Sequence, residues 1–289
     1  MQIFDVFLLE AVVNGVLLGG ILALLALGLN LIFGVIDVVW ICYAELIMIG
    51  MYAVYYLYAV YGWPLWLACV CSIAFIALLG AALHQYVIRP VLRAEPINQL
   101  LVTGGVLFLL QGVATLVFGI EFKNLGVRMP TLELGEMFLS VARLIAFVVA
   151  LLGMIGVYLF LKRTYLGTAI RAIAQDREIM PLMGVNPSRV FLFTSALGGA
   201  LAGLAACLLV LQYDIHPAIG LSFGPITFLV CVLGGLGNMI GGFIAAFIFA
   251  QFISVGGYLF HLEWGYVIAF VFFIAVMFWK PRGLFGGKS

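Results

Sequence analysis

Charge is what this sequence has least of. Asp, Glu, Lys and Arg make up 9% of its 289 residues, against about 25% in ordinary globular domains. Hydrophobic residues reach 66%, and the mean hydropathy is +1.28. That leaves too little polar surface to coat a soluble domain of this size. A cytosolic enzyme, a disordered tail and a nucleic-acid binder with a basic face are all excluded. With 13 basic against 12 acidic residues, any steering by charge is local. Period-two alternation over ten-residue segments is also missing, which argues against an outer-membrane barrel. No His-Glu-x-x-His, no Ser/His/Asp set and no metal-ligand spacing occurs, so neither catalytic nor metal residues are assigned. A ladder of arginines and a potassium-type filter are absent too. The N-terminus, Met1 to Asp5, has no basic region and does not read as a cleavable signal. The five cysteines (Cys42, Cys69, Cys71, Cys207 and Cys231) all fall in apolar segments and read as small buried hydrophobes.

What is abundant is long apolar sequence. A spanning helix needs roughly 20 mostly apolar residues. Such runs cover about 11–36, 41–61, 64–88, 98–119, 140–161, 190–212, 240–260 and 264–279, with a shorter piece near 223–236. The expected fold is an all-α, polytopic membrane bundle of about eight long spans plus one short or broken span. It forms one transmembrane domain over 1–289.

Orientation follows the basic residues. Counting the short piece as a crossing puts Arg89, Arg93, Lys162, Arg163, Arg171, Arg177, Arg189, Lys280, Arg282 and Lys288 on one side. Lys123, Arg128 and Arg143 fall on the other, with Asp5, Glu10, Glu121, Glu133, Glu136, Asp214 and Glu263. The N-terminus is therefore expected outside and the C-terminus in the cytoplasm.

Two polar stretches stand out. The outer one, 120–137, contains Arg128-Met129-Pro130 and reads as an irregular lid or short surface segment. The inner one, 162–189, predicts a short helix from Thr168 to Met183, ended by Gly184-Val185-Asn186-Pro187. Ile170, Ile173, Ala174, Met180 and Met183 give it apolar surface, while Arg171, Gln175, Asp176, Arg177 and Glu178 are polar. Too short to span, it lies along the membrane surface or docks against a soluble partner.

Glycine spacing is the next signal. Gly15 and Gly19, Gly199 and Gly203, and Gly237 and Gly241 each stand four apart, a spacing that lets helix backbones approach closely. The run from Gly234 to Gly242 lacks the preceding strand and the Lys-Ser/Thr of a nucleotide loop, so it reads as packing or a broken helix. The tail, Arg282 to Ser289, also fails as a phosphate loop, because its first position is Arg282 and the chain stops where a helix must begin. No ATPase site is assigned to this chain.

Polar residues inside a membrane are costly and mark function by default. Asn14, Asn30, Glu45, Thr103, Gln111, Thr115, Thr227, Asn238, Gln251 and Ser254 are the candidates, together with Asp37. The stretch from Asn30 to Asp37 breaks the first apolar run, and Glu45 follows eight residues later. Discontinuous helices of this kind expose backbone to a substrate path. His84, His216 and His261 lie near span ends and are expected at the interface.

The inner stretch carries a recognisable pattern. Gly167-Thr168-Ala169-Ile170-Arg171-Ala172-Ile173-Ala174-Gln175-Asp176 followed by Leu182-Met183-Gly184-Val185-Asn186-Pro187-Ser188-Arg189 closely resembles the signature loop of the branched-chain amino acid permeases of bacterial ABC importers. Asn14-Gly15, Leu27 to Val35, Arg89-Pro90-Val91-Leu92-Arg93, Ala202 to Ala206, Gly234 to Asn238 and Lys280 to Gly286 fit the same family. The resemblance implies a permease subunit of the inner membrane, embedded in lipid. Its implied partners are a second homologous permease, two cytoplasmic ATP-binding subunits and a periplasmic or extracellular substrate-binding protein. Cofactors would be none in this chain, with ATP and Mg in the partner subunits, and no nucleic acid is involved.

Coupling to the ATPases would fall to Gly167, Arg171, Ala172, Asp176, Met183, Gly184 and Asn186. The substrate path would involve Asn14, Asn30, Trp40, Tyr43 and Glu45. Where the family usually reads Asn-x-Ala-His-Gly-Glu/Asp, this chain has Trp40-Ile41-Cys42-Tyr43-Ala44-Glu45. Only the acid is kept. The cargo therefore stays open among branched-chain or related hydrophobic amino acids, aromatic carboxylates, and urea or short amides. A stand-alone secondary transporter or channel is the alternative of a different class.

Overall fold

The structure, a computed structural model, describes residues 2–127, 130–134, 137–177 and 179–286. Met1, Arg128, Met129, Glu136, Glu178, Gly287, Lys288 and Ser289, which entered the readings above, lie outside the described residues. The helices are α1 (Gln2–Ile36), α2 (Tyr43–Tyr55), α3 (Leu65–Leu83), α4 (Pro96–Phe118) and α5 (Val141–Arg163). They continue as α6 (Tyr165–Gln175), α7 (Pro187–Leu209), α8 (Ile219–Gly234), α9 (Met239–Leu259) and α10 (Leu262–Trp279). A π-helical turn extends α2 to Val60, and another carries α3 past His84 towards Val91.

Among the described residues, seven helices are long and apolar enough to cross a membrane, while α8 and the stretch Glu263–Trp279 of α10 are shorter. These helices agree with the expected all-α membrane bundle of about eight long spans and one short one, since α10 itself runs 18 residues. The extended backbone of His261 immediately precedes α10, and Lys280 departs from helical geometry at its other end.

The outer stretch is more ordered than the sequence indicated. β1 (Thr131–Leu134) pairs antiparallel with β2 (Met137–Ser140) in a small hairpin.

Helix α1 is the hub. Leu22 to Ala26 are almost wholly buried, and α9, α5, α7 and α8 all pack on α1. Small residues set how closely they approach. A β-carbon at Gly15 or Gly19 would press into Gln251 or Phe247 of α9. Gly199 and Gly203 of α7 lie against the backbone of α3 at Ile76, Ala77 and Ile73. The third pair differs: Gly237 sits at positive φ in the turn before α9, against Gly34, and only Gly241 is helical. That spacing builds a corner rather than a helix face.

Contacts between loops identify the two ends of the bundle. At one end Lys123 N–H donates to Ile215 O at 2.9 Å, and Ile215 N–H returns to Lys123 O at 2.7 Å. At the other, Gly237 meets Gly34, and Leu284 N–H donates to Leu233 O at 2.7 Å. Helix α8 leaves the first end and arrives at the second, so the short segment runs between the two ends of the bundle.

Candidate functional site

The break after α1 builds the site. Asp37 adopts φ 61°, a left-handed conformation that Asp tolerates, and its N–H still bonds Phe33 O at 2.8 Å. The chain then turns inward through Val38 to Cys42 instead of leaving the bundle. Irregular backbone at membrane depth must be satisfied by protein. Thr103 of α4 does this in part, donating to Val39 O at 3.1 Å.

This inward turn buries Trp40, Tyr43 and Glu45 together. Tyr43 Oη donates to Gly198 O at 3.4 Å and lies directly against Gly28, where any side chain would displace it. Trp40 Nε1 is buried with no hydrogen bond to oxygen or nitrogen and has the Cys42 thiol beside it. Glu45 is 0% exposed, and neither carboxylate oxygen has a hydrogen-bond partner. Beside them lies an almost wholly apolar cavity of about 290 Å³, lined by Trp40, Tyr43 and Ala44 and by Gly220, Leu221 and Phe228 of α8, among others.

The two asparagines lie elsewhere. Asn14 accepts a 2.9 Å hydrogen bond from Arg143 Nη1 at the edge of a 520 Å³ vestibule that also holds Glu10, Tyr213 and Tyr266. Asn30 is fully buried near the opposite end. Its Oδ1 accepts from Gly237 N–H at 3.1 Å, and its amide nitrogen packs against Gly242. The sequence-selected path residues are thus three together and two apart.

The inner polar stretch folds as α6, then a turn, then a short 3-10 turn over Met180–Met183. The expected single helix from Thr168 to Met183 is corrected. Asp176 leaves helical geometry and its Oδ1 accepts from Ile179 N–H at 3.1 Å, while Pro181 has no N–H to continue a ladder. Thr164 caps α6 by accepting from Gly167 N–H at 3.0 Å. Gly167 is packed onto Phe160 and Leu161, with no room for a β-carbon. Ile170 and Ile173, read as docking surface, instead face the bundle and are buried. What α6 and its turn present outward is Tyr165, Arg171, Leu182 and Met183, the last two 85% and 72% exposed. Ala172 is half-buried, Gly184 ends the 3-10 turn in the left-handed region, and Asn186 Oδ1 caps α7 through Ser188 N–H at 3.1 Å.

The model of the family described as the permease component of branched-chain amino acid transport systems matches residues 11–277. The chain belongs to the branched-chain amino acid permease family. It is 30% identical to the high-affinity branched-chain amino acid transport permease protein BraD of Pseudomonas aeruginosa, over 96% of this chain and 95% of that one. It is 28% identical to the corresponding protein LivH of Escherichia coli K12, over 97% and 96%. In fold it resembles PsaBC from Streptococcus pneumoniae, solved in complex with Fab. That match has a TM-score of 0.53 and 15% identity, and covers 93% of this chain and 91% of that one. It is a multi-pass membrane protein and a transport subunit.

Several residues that shape this permease escaped the sequence reading. In the sequence Arg177 is one polar residue among several, yet its Nη2 donates to Val35 O at 3.1 Å. Gly220 had no motif, yet it is the residue pressed against Glu45. His84, expected at the interface, is buried beside Phe191 where the π turn of α3 begins. The His216 ring lies tilted against Phe122, centres 4.7 Å apart, whereas His261 is exposed.

Proposed function

We propose that this permease is one membrane half of an ATP-driven ABC importer that carries branched-chain or related hydrophobic amino acids across the bacterial inner membrane. A second homologous permease completes the translocation unit. Two cytoplasmic subunits bind ATP with Mg and hydrolyse it, and an external binding protein delivers cargo. Residues 1–289 act as a single transmembrane domain. The N-terminus lies outside and the C-terminus in the cytoplasm, which places Lys162, Arg163, Arg171 and Lys280 on the positive-inside face.

The observation that carries this reading is the surface of α6 and its 3-10 turn. Leu182, Met183 and Tyr165 are exposed, as is Arg171 on the same short segment. Apolar anchors flanked by charge suit a helix-in-groove contact, and α6, which precedes the turn, rests on α1 and α7. Gly167, Ala172, Asp176, Gly184 and Asn186 shape this element, while Arg171 and Met183 meet the ATPase. Trp40, Tyr43 and Glu45 belong to the path, with Asn14 at its outer mouth and Asn30 holding the inner corner.

The test is Leu182→Asp with Met183→Asp in the complex reconstituted with its ATPases. Wild type is expected to support ATP-dependent leucine uptake. The double variant is expected to purify as folded permease without bound ATPases. Unchanged ATPase association would overturn the coupling assignment.

A further inference from the structure

Glu45 poses a problem of energetics. A buried ionised carboxylate with no partner costs far more than a lone amide or hydroxyl, and both its oxygens are unpartnered. What covers it is α8. A β-carbon added at Gly220 would stand 2.5 Å from Glu45 Oε1, so glycine lets the helix close there with the Glu45 carboxylate where it lies. One turn on, a β-carbon at Gly224 would stand 3.0 Å from that of Ala44.

Cavities flank helix α8 along its outer half. The 290 Å³ cavity borders it at Gly220, Leu221, Gly224 and Phe228, and a separate cavity of about 320 Å³ borders it at Ile219, Ser222, Phe223 and Ile226. Pro225 sits inside the helix, without the N–H that would bond Leu221 O, and Thr227 Oγ1 donates back to Phe223 O at 2.8 Å. The inner end is fixed. Leu284 N–H holds Leu233 O, and Gly234 packs on Gly241.

Building on the permease reading, we propose that the outer half of α8 is a lid over Glu45, hinged near Pro225. Its displacement opens Glu45 to the ammonium group of a cargo whose apolar body fills the cavity beside Trp40, Tyr43, Leu221 and Phe228. The chemistry selects among the open cargo classes. An ammonium compensates the carboxylate, a carboxylate without an amine is repelled, and a neutral amide leaves the charge unmatched. The cavity is at the small end of ligand pockets, roughly 300–1,000 Å³.

The test uses the assembled transporter in lipid nanodiscs and a hydrophobic carbodiimide, with adducts at Glu45 read by mass spectrometry. Gly220→Ala, which sets a methyl group against the carboxylate and so disfavours the closed position of α8, is expected to speed labelling about fivefold, as is ATP with vanadate in wild type. Gly224→Ala, a milder intrusion, serves should Gly220→Ala not fold, and Glu45→Gln removes the signal. Isopentylamine and L-leucine are expected to slow wild-type labelling, and 4-methylpentanoate and 4-methylpentanamide are not. Labelling insensitive to both glycine variants and to nucleotide overturns the lid. Equal protection by the acid or the amide overturns the ammonium site. ATP-driven uptake by the same preparation is scored separately. Its absence, with labelling as expected, rejects the importer reading and leaves the lid standing.

Discussion

Arg177 Nη2 donates to Val35 O at 3.1 Å, which ties the inner surface segment to the last turn of α1. The guanidinium also lies 5.2 Å from the Phe191 ring centre, so one side chain spans α1, α7 and the turn after α6. Two residues beyond Val35 the chain enters the break that carries Trp40 and Glu45 inward. Movement of the inner segment therefore has a direct mechanical route to the break.

Arg177→Ala is expected to uncouple hydrolysis from transport. Uptake per ATP should fall about tenfold, equivalent to roughly 1.4 kcal/mol of lost coupling, while the ATPases still bind through Leu182 and Met183. Arg177→Lys keeps the charge but not the planar fork, and should fall between. Equal losses of ATPase binding and uptake would assign Arg177 to docking instead.

The corner between α5 and α6 is expected to be intolerant of bulk. Gly167→Ala places a methyl against Phe160 O and Leu161, and overpacking of this kind costs about 1–3 kcal/mol. Thr164→Ala removes the cap on Gly167 N–H, worth about 1 kcal/mol. Thermal unfolding of the purified complex should rank them in that order. A Gly167→Ala protein with wild-type stability would contradict the geometry.

The helical membrane bundle, and the positions of its spans, were legible because apolar length alone specifies a crossing. The inner segment was legible as an element but not in its facing. Ile170 and Ile173 are apolar whether they point at α1 or at a partner, and periodicity cannot tell which. Glu45 stood out as an acid in an apolar run. That it lacks a partner, and that Gly220 presses on it from 175 residues away in sequence, depends on tertiary packing that no local pattern encodes. Arg177 was hidden for the same reason, since its acceptor is a backbone carbonyl.

Asn30 offers a test of structural against path roles. Its Oδ1 holds Gly237 N–H at 3.1 Å in a buried corner of glycines. Asn30→Ala orphans that donor, which should cost about 1–3 kcal/mol and lower the amount of folded complex. Uptake per folded molecule is expected to stay near wild type. A selective loss of uptake at full stability would return Asn30 to the path.

Lys123 closes the end of the bundle away from Gly34 and Gly237. Its Nζ donates to Tyr56 Oη at 2.9 Å and lies 4.9, 5.6 and 5.9 Å from the ring centres of Tyr56, Tyr55 and Tyr52. Tyr52 in turn stacks on Phe118 at 4.2 Å. The Lys123 backbone makes the paired bonds to Ile215, so the cage and the loop bridge depend on the same residue. A cation over aromatic faces contributes about 0.5–2 kcal/mol, enough to set how often the bridge opens. Lys123→Met should therefore speed deuterium exchange at the Lys123 and Ile215 amides by roughly three- to tenfold, the range expected for about 0.7–1.4 kcal/mol. Lys123→Arg preserves both the charge and the ring contact and should exchange at close to the wild-type rate. Exchange unchanged in Lys123→Met would mean that the backbone pairing, not the tyrosine cage, holds the outer loops together.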